Sequence, residues 1–455
     1  MQTPVTTASP AHLSIAAPSH RRATVLAALM AAAGFALTIL AFYPGYLTND
    51  ASFVHGYVQE WHLGDWQSPV MTMLWWLIDP IAPGSGSMFL LDAALYWLAF
   101  ALIAATVARR AGYAGALVPL IALAPPGFML LSMIWRDVLF AAIWLLAAAL
   151  VYPVAERPGL TRAALRLIAL ILVGSGILLR PNAIVAAPLL LAYIAWPARF
   201  EWKRVALLFI PALAAGYGLI HLVYYDILDV KRENPLHSLL VFDIGGITHF
   251  SGENQFPVAW SAEQQDLVLN RCYEPKLWDS YWTLEPCTFV MARLERPDDR
   301  IFGTPRLVEA WKRALTAHPL AYIEHRATFM WTFLGRYKLV LELYHLDEAP
   351  LSHNPRFMAL LPFYEALKET IIFRVGLWLL VAIGIVLWTW RARATPSGAF
   401  AIGMAGCGIM YVLSFAVLGV ATDFRYGYWD VLACLAAIVP ALIARREMRA
   451  LKPAA

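Results

Sequence analysis

Four charged residues beside apolar stretches are the first candidates for chemistry, namely Asp50, Arg136, Arg180 and Arg425. A guanidinium group offers a planar fork of donors that matches phosphate oxygens, and it keeps its charge at every physiological pH. A carboxylate can accept a proton from an attacking hydroxyl or amine, or it can bind a divalent cation such as Mg²⁺ or Mn²⁺. These residue types therefore predict a phosphate-binding site at a membrane surface, with Asp50 as its reactive group.

Asp50 belongs to a polar segment, residues 42–69, which reads FYPGYLTNDASFVHGYVQEWHLGDWQSP. The segment follows an apolar run long enough to cross a bilayer. We predict two short helices in the membrane interface, near 51–63 and 68–79, with their tryptophans as anchors. An alternative interpretation makes Asp50 only the N-cap of the first of these helices, because aspartate is a favoured capping residue.

Other polar side chains of this segment are candidate contacts of an acceptor or a sugar. They are Asp65 and Gln67, which precede the second predicted helix, and His55 in the first. His55 and His62 are seven residues apart, which is too far for a compact metal pair on one helix. If a metal ion is bound, Asp50 is the residue that we expect to hold it.

The three arginines have an alternative explanation in local ion pairing. Asp137 follows Arg136, and Asp423 precedes Arg425, so that each pair could let a charge lie near the membrane interface. The topology favours a shared site instead, since all three arginines are predicted on the same face of the membrane as Asp50.

The composition predicts an all-α polytopic membrane protein. Hydrophobic residues make up 60% of the chain and charged residues only 15%, which exceeds the apolar content of soluble domains. A net charge of +4, spread in small groups between apolar runs, gives no basis for nucleic-acid binding. About ten runs reach spanning length. They are 23–43, 88–108, 113–131, 138–155, 163–179, 183–196, 205–225, 372–390, 399–421 and 429–444.

The basic clusters between these runs predict the orientation. Arginines and lysines gather on alternate sides of consecutive spans, which places both termini in the cytoplasm. We expect a bacterial inner (plasma) membrane protein whose site faces the periplasm or exterior. The predicted parts are a disordered tail over 1–20, a catalytic membrane module over 21–225, a small outer domain over 226–371, and C-terminal spans with a cytoplasmic tail over 372–455.

Two of the four cysteines, Cys272 and Cys287, lie in the predicted outer domain. In an oxidising compartment these two are expected to form a disulfide, worth about 3 kcal/mol in the chain-entropy model. Cys407 and Cys434 lie within apolar runs, where we expect them to act as small core residues.

The chain resembles the GT-C membrane glycosyltransferases, a group that includes protein O-mannosyltransferases and the lipid A aminoarabinose transferase. The resemblance covers most of the chain in topology, but its motifs are short. They are YLTNDAS with Asp50, DWQSP, WRDVLFA with Arg136 and Asp137, LRPNA with Arg180, and DFRYGY with Arg425 and Tyr426. The resemblance implies that Asp50 is the catalytic base or a metal-associated residue. It also implies that the outer arginines hold the phosphate of a polyprenyl-phosphate sugar.

We therefore expect a transferase that moves a hexosyl or pentosyl group from a polyprenyl-phosphate carrier to a glycan, lipid or protein. Asp137 would aid positioning or bind metal, and Tyr426 is a further candidate sugar contact. Many family members carry a second carboxylate after the first acid, whereas this chain has Ala51, which leaves metal dependence open. Two alternatives remain: a transporter or lipid flippase, and a ligase or polymerase that uses pyrophosphate-linked glycans.

Overall fold

The chain is a helical membrane protein in a computed structural model that describes residues 18–336 and 340–450. Across these residues the regular structure is helical, and extended pairing is limited to isolated bridges. Eight helical stretches of the described chain are long and apolar enough to cross a membrane. They are His20–Phe42, Ser85–Ala122, Arg136–Val154, Leu160–Leu179, Trp202–Ile227, Val375–Ala392, Pro396–Leu418 and Phe424–Ala450. The predicted all-α polytopic class is confirmed.

The N-terminal half contains ten α-helices, two of which follow the first span close to the positions predicted for two short helices. In order they are α1 (Pro18–Phe42), α2 (Asn49–Glu60), α3 (Pro69–Ile78), α4 (Ser85–Ala111), α5 (Leu117–Ala122), α6 (Pro125–Phe128), α7 (Arg136–Val151), α8 (Leu160–Leu179), α9 (Ala187–Ala195) and α10 (Trp202–His221).

Two of the predicted spans are not single long helices. The run 113–131 breaks after Ala122, and α6 begins at Pro125, because a proline ring cannot continue the preceding hydrogen-bond ladder. The run 183–196 is a 3-10 turn followed by α9. Its nine residues rise about 14 Å, about half the hydrocarbon thickness of a bilayer. Eight stretches qualify as spans instead of ten for this reason.

The predicted outer region contains six α-helices and many turns. These helices are α11 (Leu236–Ser251), α12 (Ala262–Asn270), α13 (Phe289–Leu294), α14 (Pro305–Ala317), α15 (Pro319–Trp331) and α16 (Pro355–Lys368). α11 is the core of this region and packs against α14 and α15. A disulfide joins Cys272 to Cys287, the pair that the sequence suggested.

Three long helices close the fold. They are α17 (Val375–Thr389), α18 (Pro396–Leu418) and α19 (Tyr428–Ala450). α18 packs along α19, and α4 packs against both α1 and α7. The spans built on α7 and α19 are 89% buried, whereas the span built on α10 is only 11% buried. α7 and α19 thus form the interior of the bundle, and the turns at their N-terminal ends, which carry Arg136 and Arg425, are rigidly supported.

Candidate functional site

Asp50 lies in the first turn of α2, and it does not cap that helix. The N-cap is Thr48, whose side chain accepts a hydrogen bond of 3.3 Å from the Ala51 amide. The interpretation of Asp50 as the capping residue is therefore wrong, because the helix begins at Asn49, before the aspartate. The Asp50 side chain is 46% exposed, so a ligand can reach a carboxylate that has no capping role.

A short backbone pairing brings α2 to the N-terminus of α7. The Tyr46 amide donates to the Ser132 carbonyl at 2.7 Å, and the Ile134 amide donates to the Tyr46 carbonyl at 3.0 Å. These bonds form an isolated parallel bridge between Tyr46 and Met133. The pairing places the start of α2 beside the turn that carries Arg136.

Arg425 is at the centre of the site, where three carboxylates share it. Its Nη1 lies 2.7 Å from Asp50, while Nη2 lies 3.3 Å from Asp423 and 3.4 Å from Glu342. The guanidinium also lies 4.9 Å from the ring centroid of Trp135. Because Arg425 is buried and held from several sides, it fixes the position of Asp50. The predicted local pair of Arg425 with Asp423 exists, but it is one part of this larger cluster.

Arg180 and Asp137 form a second, buried ion pair. Nε of Arg180 donates to Oδ1 of Asp137 at 2.6 Å, and a second nitrogen contacts the same oxygen. The guanidinium of Arg180 lies 5.0 Å from the ring of Tyr426, on which Arg425 also stacks. Asp137 therefore pairs with Arg180. Local ion pairing would instead have joined Asp137 to its neighbour Arg136. Tyr426 joins the two arginine clusters.

Arg136 differs from the other two arginines in having no acidic partner. In the part of the chain that the structure describes, it forms no ion pair, and it donates a long hydrogen bond of 3.4 Å to the Trp66 carbonyl. Asp50 and Asp137 are both occupied by other arginines. Arg136 is thus the arginine whose donors are most available to an added anion.

These groups surround a small, partly open cleft. Its lining combines charged groups from the start of α2 and α7 with apolar side chains, namely Asp50, Ala51, Val54, Gln67, Met71, Ile134, Trp135, Arg136, Asp137 and Arg425. The indole N–H of Trp135 is buried, and it has no hydrogen-bond partner among the described residues. A polar group of a ligand could satisfy this donor.

The carboxyl groups near Arg425 have different pKa values. Burial acts to raise the pKa of Asp50, but the charges of Arg425, Arg136 and Arg180 outweigh it and hold that pKa below its usual value. Burial raises the pKa of Glu342 to about 7, although Arg425 opposes the shift. Asp50 is therefore ionised at neutral pH, whereas Glu342 is about half protonated.

Two further acids have raised pKa values. Burial and the negative charges of Asp50 and Asp423 raise the pKa of Asp279 to about 6. Burial also raises the pKa of Asp423, against the attraction of Arg425. The acids of the cluster therefore disfavour one another's ionisation, and Glu342 and Asp279 take up protons nearest to neutral pH.

Two of the predicted contacts lie in other environments. His55 packs on Trp75, with ring centroids 5.1 Å apart, and its Nε2 lies 3.6 Å from Asp79. Asp65 accepts hydrogen bonds from the Glu233 amide at 2.6 Å and the Tyr225 hydroxyl at 2.9 Å. The contacts of Asp65 connect the polar segment 42–69, which we call the first outer loop, to the region after α10. Gln67, in contrast, lines the cleft.

Glu342 and Asp279 were not among the residues selected from the sequence. Glu342 is the single acid in the apolar run 339–343, which could have indicated a buried charge. Asp279 lies between two tryptophans of the disulfide-closed loop and has no comparable signal. Both reach the site through long-range contacts of the outer region, which local patterns do not show.

The described residues contain no group of three or more His, Cys, Asp or Glu side chains arranged to hold a metal ion. The nearest carboxylates, Asp50 and Asp423, face Arg425, and such a cation would have to compete with it. These residues do not fit a divalent cation, so the cation remains a prediction from sequence alone, and none of the chemistry below depends on one.

Comparison of the chain with protein-family models found no match, and searches of curated proteins and of solved structures found none either.

Proposed function

We propose that the chain is a membrane glycosyltransferase that moves a sugar from a polyprenyl monophosphate carrier to an acceptor. The observation that carries the proposal is that Asp50 and Arg136 line the same cleft. Among the described residues, Arg136 has no acidic partner for its guanidinium group. A base and an anion-binding group at one membrane-proximal cleft are the two components that such a transfer requires.

The proposed step transfers the sugar in a single displacement. Asp50 takes the proton of the acceptor hydroxyl as the acceptor oxygen forms a bond to the anomeric carbon. The bond from that carbon to the phosphate oxygen breaks, and its electron pair leaves with the polyprenyl phosphate. Attack opposite the leaving group inverts the anomeric configuration. Because its pKa is held below the usual value, Asp50 is already ionised and can accept the proton.

The three arginines have different roles in this proposal. Arg136 binds the phosphate, since it forms no ion pair with a carboxylate of the described residues. Arg425 orients Asp50 through the contact of 2.7 Å, and its buried positive charge adds to the electrostatic stabilisation of the leaving group. Arg180 acts through Asp137, which it fixes at the start of α7.

The location of the cleft supports a lipid-linked donor. α2 and α3 expose large apolar side chains, including Phe53, Trp76 and Leu77, as interfacial helices do. A phosphate in the cleft would lie beside these helices, and its polyprenyl tail would extend into the lipid. We assign the site to the periplasmic or outer face of a bacterial inner membrane, from the distribution of basic loops.

The test is transfer by the purified chain in nanodiscs, supplied with radiolabelled sugars on polyprenyl monophosphate and on polyprenyl pyrophosphate. We expect turnover of the monophosphate donor only. Asp50→Asn should lower kcat by about 10²- to 10⁴-fold without changing the melting temperature, because Arg425 keeps Asp423 and Glu342 as partners.

Arg136→Gln should weaken donor binding, and the exposed Asp266→Asn should change neither property. Near-normal kcat in Asp50→Asn would remove Asp50 from the mechanism. Turnover of the pyrophosphate donor would indicate a ligase or polymerase. Movement of the lipid across the bilayer with no sugar transfer would indicate a flippase.

A further inference from the structure

A cluster of three tryptophans lies at the edge of the cleft. The rings of Trp66 and Trp278 are 5.8 Å apart, those of Trp66 and Trp282 are 5.3 Å apart, and those of Trp278 and Trp282 are 5.4 Å apart. Trp66 comes from the first outer loop, and the other two come from the loop closed by the disulfide. Two distant chain segments thus build one aromatic surface, which we call the tryptophan cluster.

The tryptophan cluster is joined to the cleft by backbone contacts on both sides. The Trp66 carbonyl accepts the hydrogen bond from Arg136, and the next residue, Gln67, lines the cleft. On the other side, the Trp278 amide donates to the Val420 carbonyl at 2.9 Å, just before the turn that holds Arg425. A ligand on the cluster would therefore lie next to Asp50 and the bound phosphate.

The cluster is not explained by anchoring in the lipid interface. Trp278 is only 5% exposed, and it pairs with the turn before α19 instead of facing lipid. Trp282 is 40% exposed, and Trp66 is half-buried, so the surface has an open side. None of the three indole N–H groups donates a hydrogen bond within the described part of the chain. The cluster therefore combines accessible ring surface with unused donors.

We propose that the tryptophan cluster, together with Asp279, is the acceptor subsite and that it binds a hexopyranose ring of a glycan acceptor. This inference rests on the proposed transferase function and names its acceptor class. The face of a pyranose carries C–H groups with partial positive charge, which pack against the negative face of an indole ring. Its hydroxyl groups can pair with the free indole N–H groups and with the carboxyl of Asp279.

Asp279 supplies the polar element of this subsite. It follows Trp278 directly in the chain, and it is close enough to Asp50, Asp423 and Arg425 for their charges to act on it. A carboxyl group can accept bonds from two adjacent sugar hydroxyls, and this would set the orientation of the ring. Peptide or lipid acceptors would gain less from this combination of an exposed indole ring and hydrogen-bonding groups.

Binding to the cluster can be tested without any donor. We would add methyl α-glucopyranoside, methyl α-mannopyranoside and methyl α-galactopyranoside in turn to the full chain in nanodiscs and record saturation-transfer NMR signals. At least one of them should show contacts from its ring protons. Trp282→Ala should weaken that binding about tenfold, and Trp282→Phe should retain most of it. Trp61→Ala is the control, since Trp61 is also exposed, at 49% against 40% for Trp282, but packs on Trp76 of α3.

The subsite would be overturned by no binding of any of the three glycosides, or by equal binding by the wild type and Trp282→Ala. Transfer to a peptide that is unaffected by Trp282→Ala would also overturn it and would assign a protein acceptor. The outcome is separate from that of the transferase proposal. Saccharide binding lost in Trp282→Ala, combined with normal transfer by Asp50→Asn, would refute only the role of Asp50.

Discussion

Replacement of Glu342 by glutamine should make the protein more stable above pH 7. Glu342 is buried beside Arg425, and this environment raises its pKa from 4.5 to about 7. Glutamine has nearly the same shape and can still accept a hydrogen bond from Arg425, 3.4 Å away in the wild type. It never acquires the charge that the site disfavours. The substitution therefore isolates the free-energy cost of ionising Glu342.

The size of the effect follows from the pKa shift. Between pH 4.5 and about 7, folded Glu342 binds a proton that the unfolded chain has already lost, so the free energy of unfolding falls as pH rises through this window. The shift corresponds to a loss of about 3 kcal/mol, which is complete above pH 7. Glu342→Gln should recover about 3 kcal/mol at pH 8 and nothing near pH 4.5.

The measurement is unfolding of the protein in mixed micelles by increasing sodium dodecyl sulfate, followed by circular dichroism at pH 5 and pH 8. The control is Glu348→Gln, an exposed glutamate of the same segment, which should have no pH-dependent effect. The groups that act on Glu342 are Arg425, Asp423, Asp50 and Asp137. Equal effects of Glu342→Gln at both pH values, or a loss of stability at pH 8, would refute the raised pKa.

Three further predictions concern the buried ion pair, the disulfide and the topology. Asp137→Asn leaves a buried arginine without its carboxylate and should cost about 3–5 kcal/mol in the same unfolding assay; a cost below 1 kcal/mol would contradict the pairing. Replacing both Cys272 and Cys287 by alanine should destabilise the outer region by about 3 kcal/mol, seen as faster proteolysis there, and unchanged proteolysis would count against this role. In intact cells, a membrane-impermeant maleimide should label Glu263→Cys, in the predicted outer region, and not Arg157→Cys, in a predicted cytoplasmic loop. The two free cysteines of the wild type are buried and should add little labelling; the reverse pattern would invert the orientation.

The sequence was sufficient for the helical membrane class and for the main charged residues of the site. Apolar runs of spanning length indicate helices because a bilayer leaves few other ways to satisfy the backbone. The arginines stood out because the basic loops predict them on the face where basic residues are not expected. The structure brings Asp50, Arg136 and Arg425 to one cleft, and it places Arg180 beside them through Asp137 and Tyr426.

The partners of those charges could not be predicted from local patterns. Adjacency in sequence suggested that Asp137 would pair with Arg136, but the first turn of α7 directs it to Arg180. The N-cap at Thr48 was missed because Asp50 is an equally good capping type. Glu342 reaches Arg425 only when the outer region packs on the membrane helices, and this docking leaves no periodic signal in the chain.

The order of the site residues along the chain has a consequence for synthesis. Asp50 is translated after the first span, while Arg425, which holds it in place, begins the last one. An unfinished chain at the ribosome thus carries an acid at the membrane surface without its basic partner, and any chain truncated before α19 lacks the centre of the cleft. Insertion of the helix that follows Arg425 therefore completes the charged cluster around Asp50 in one event.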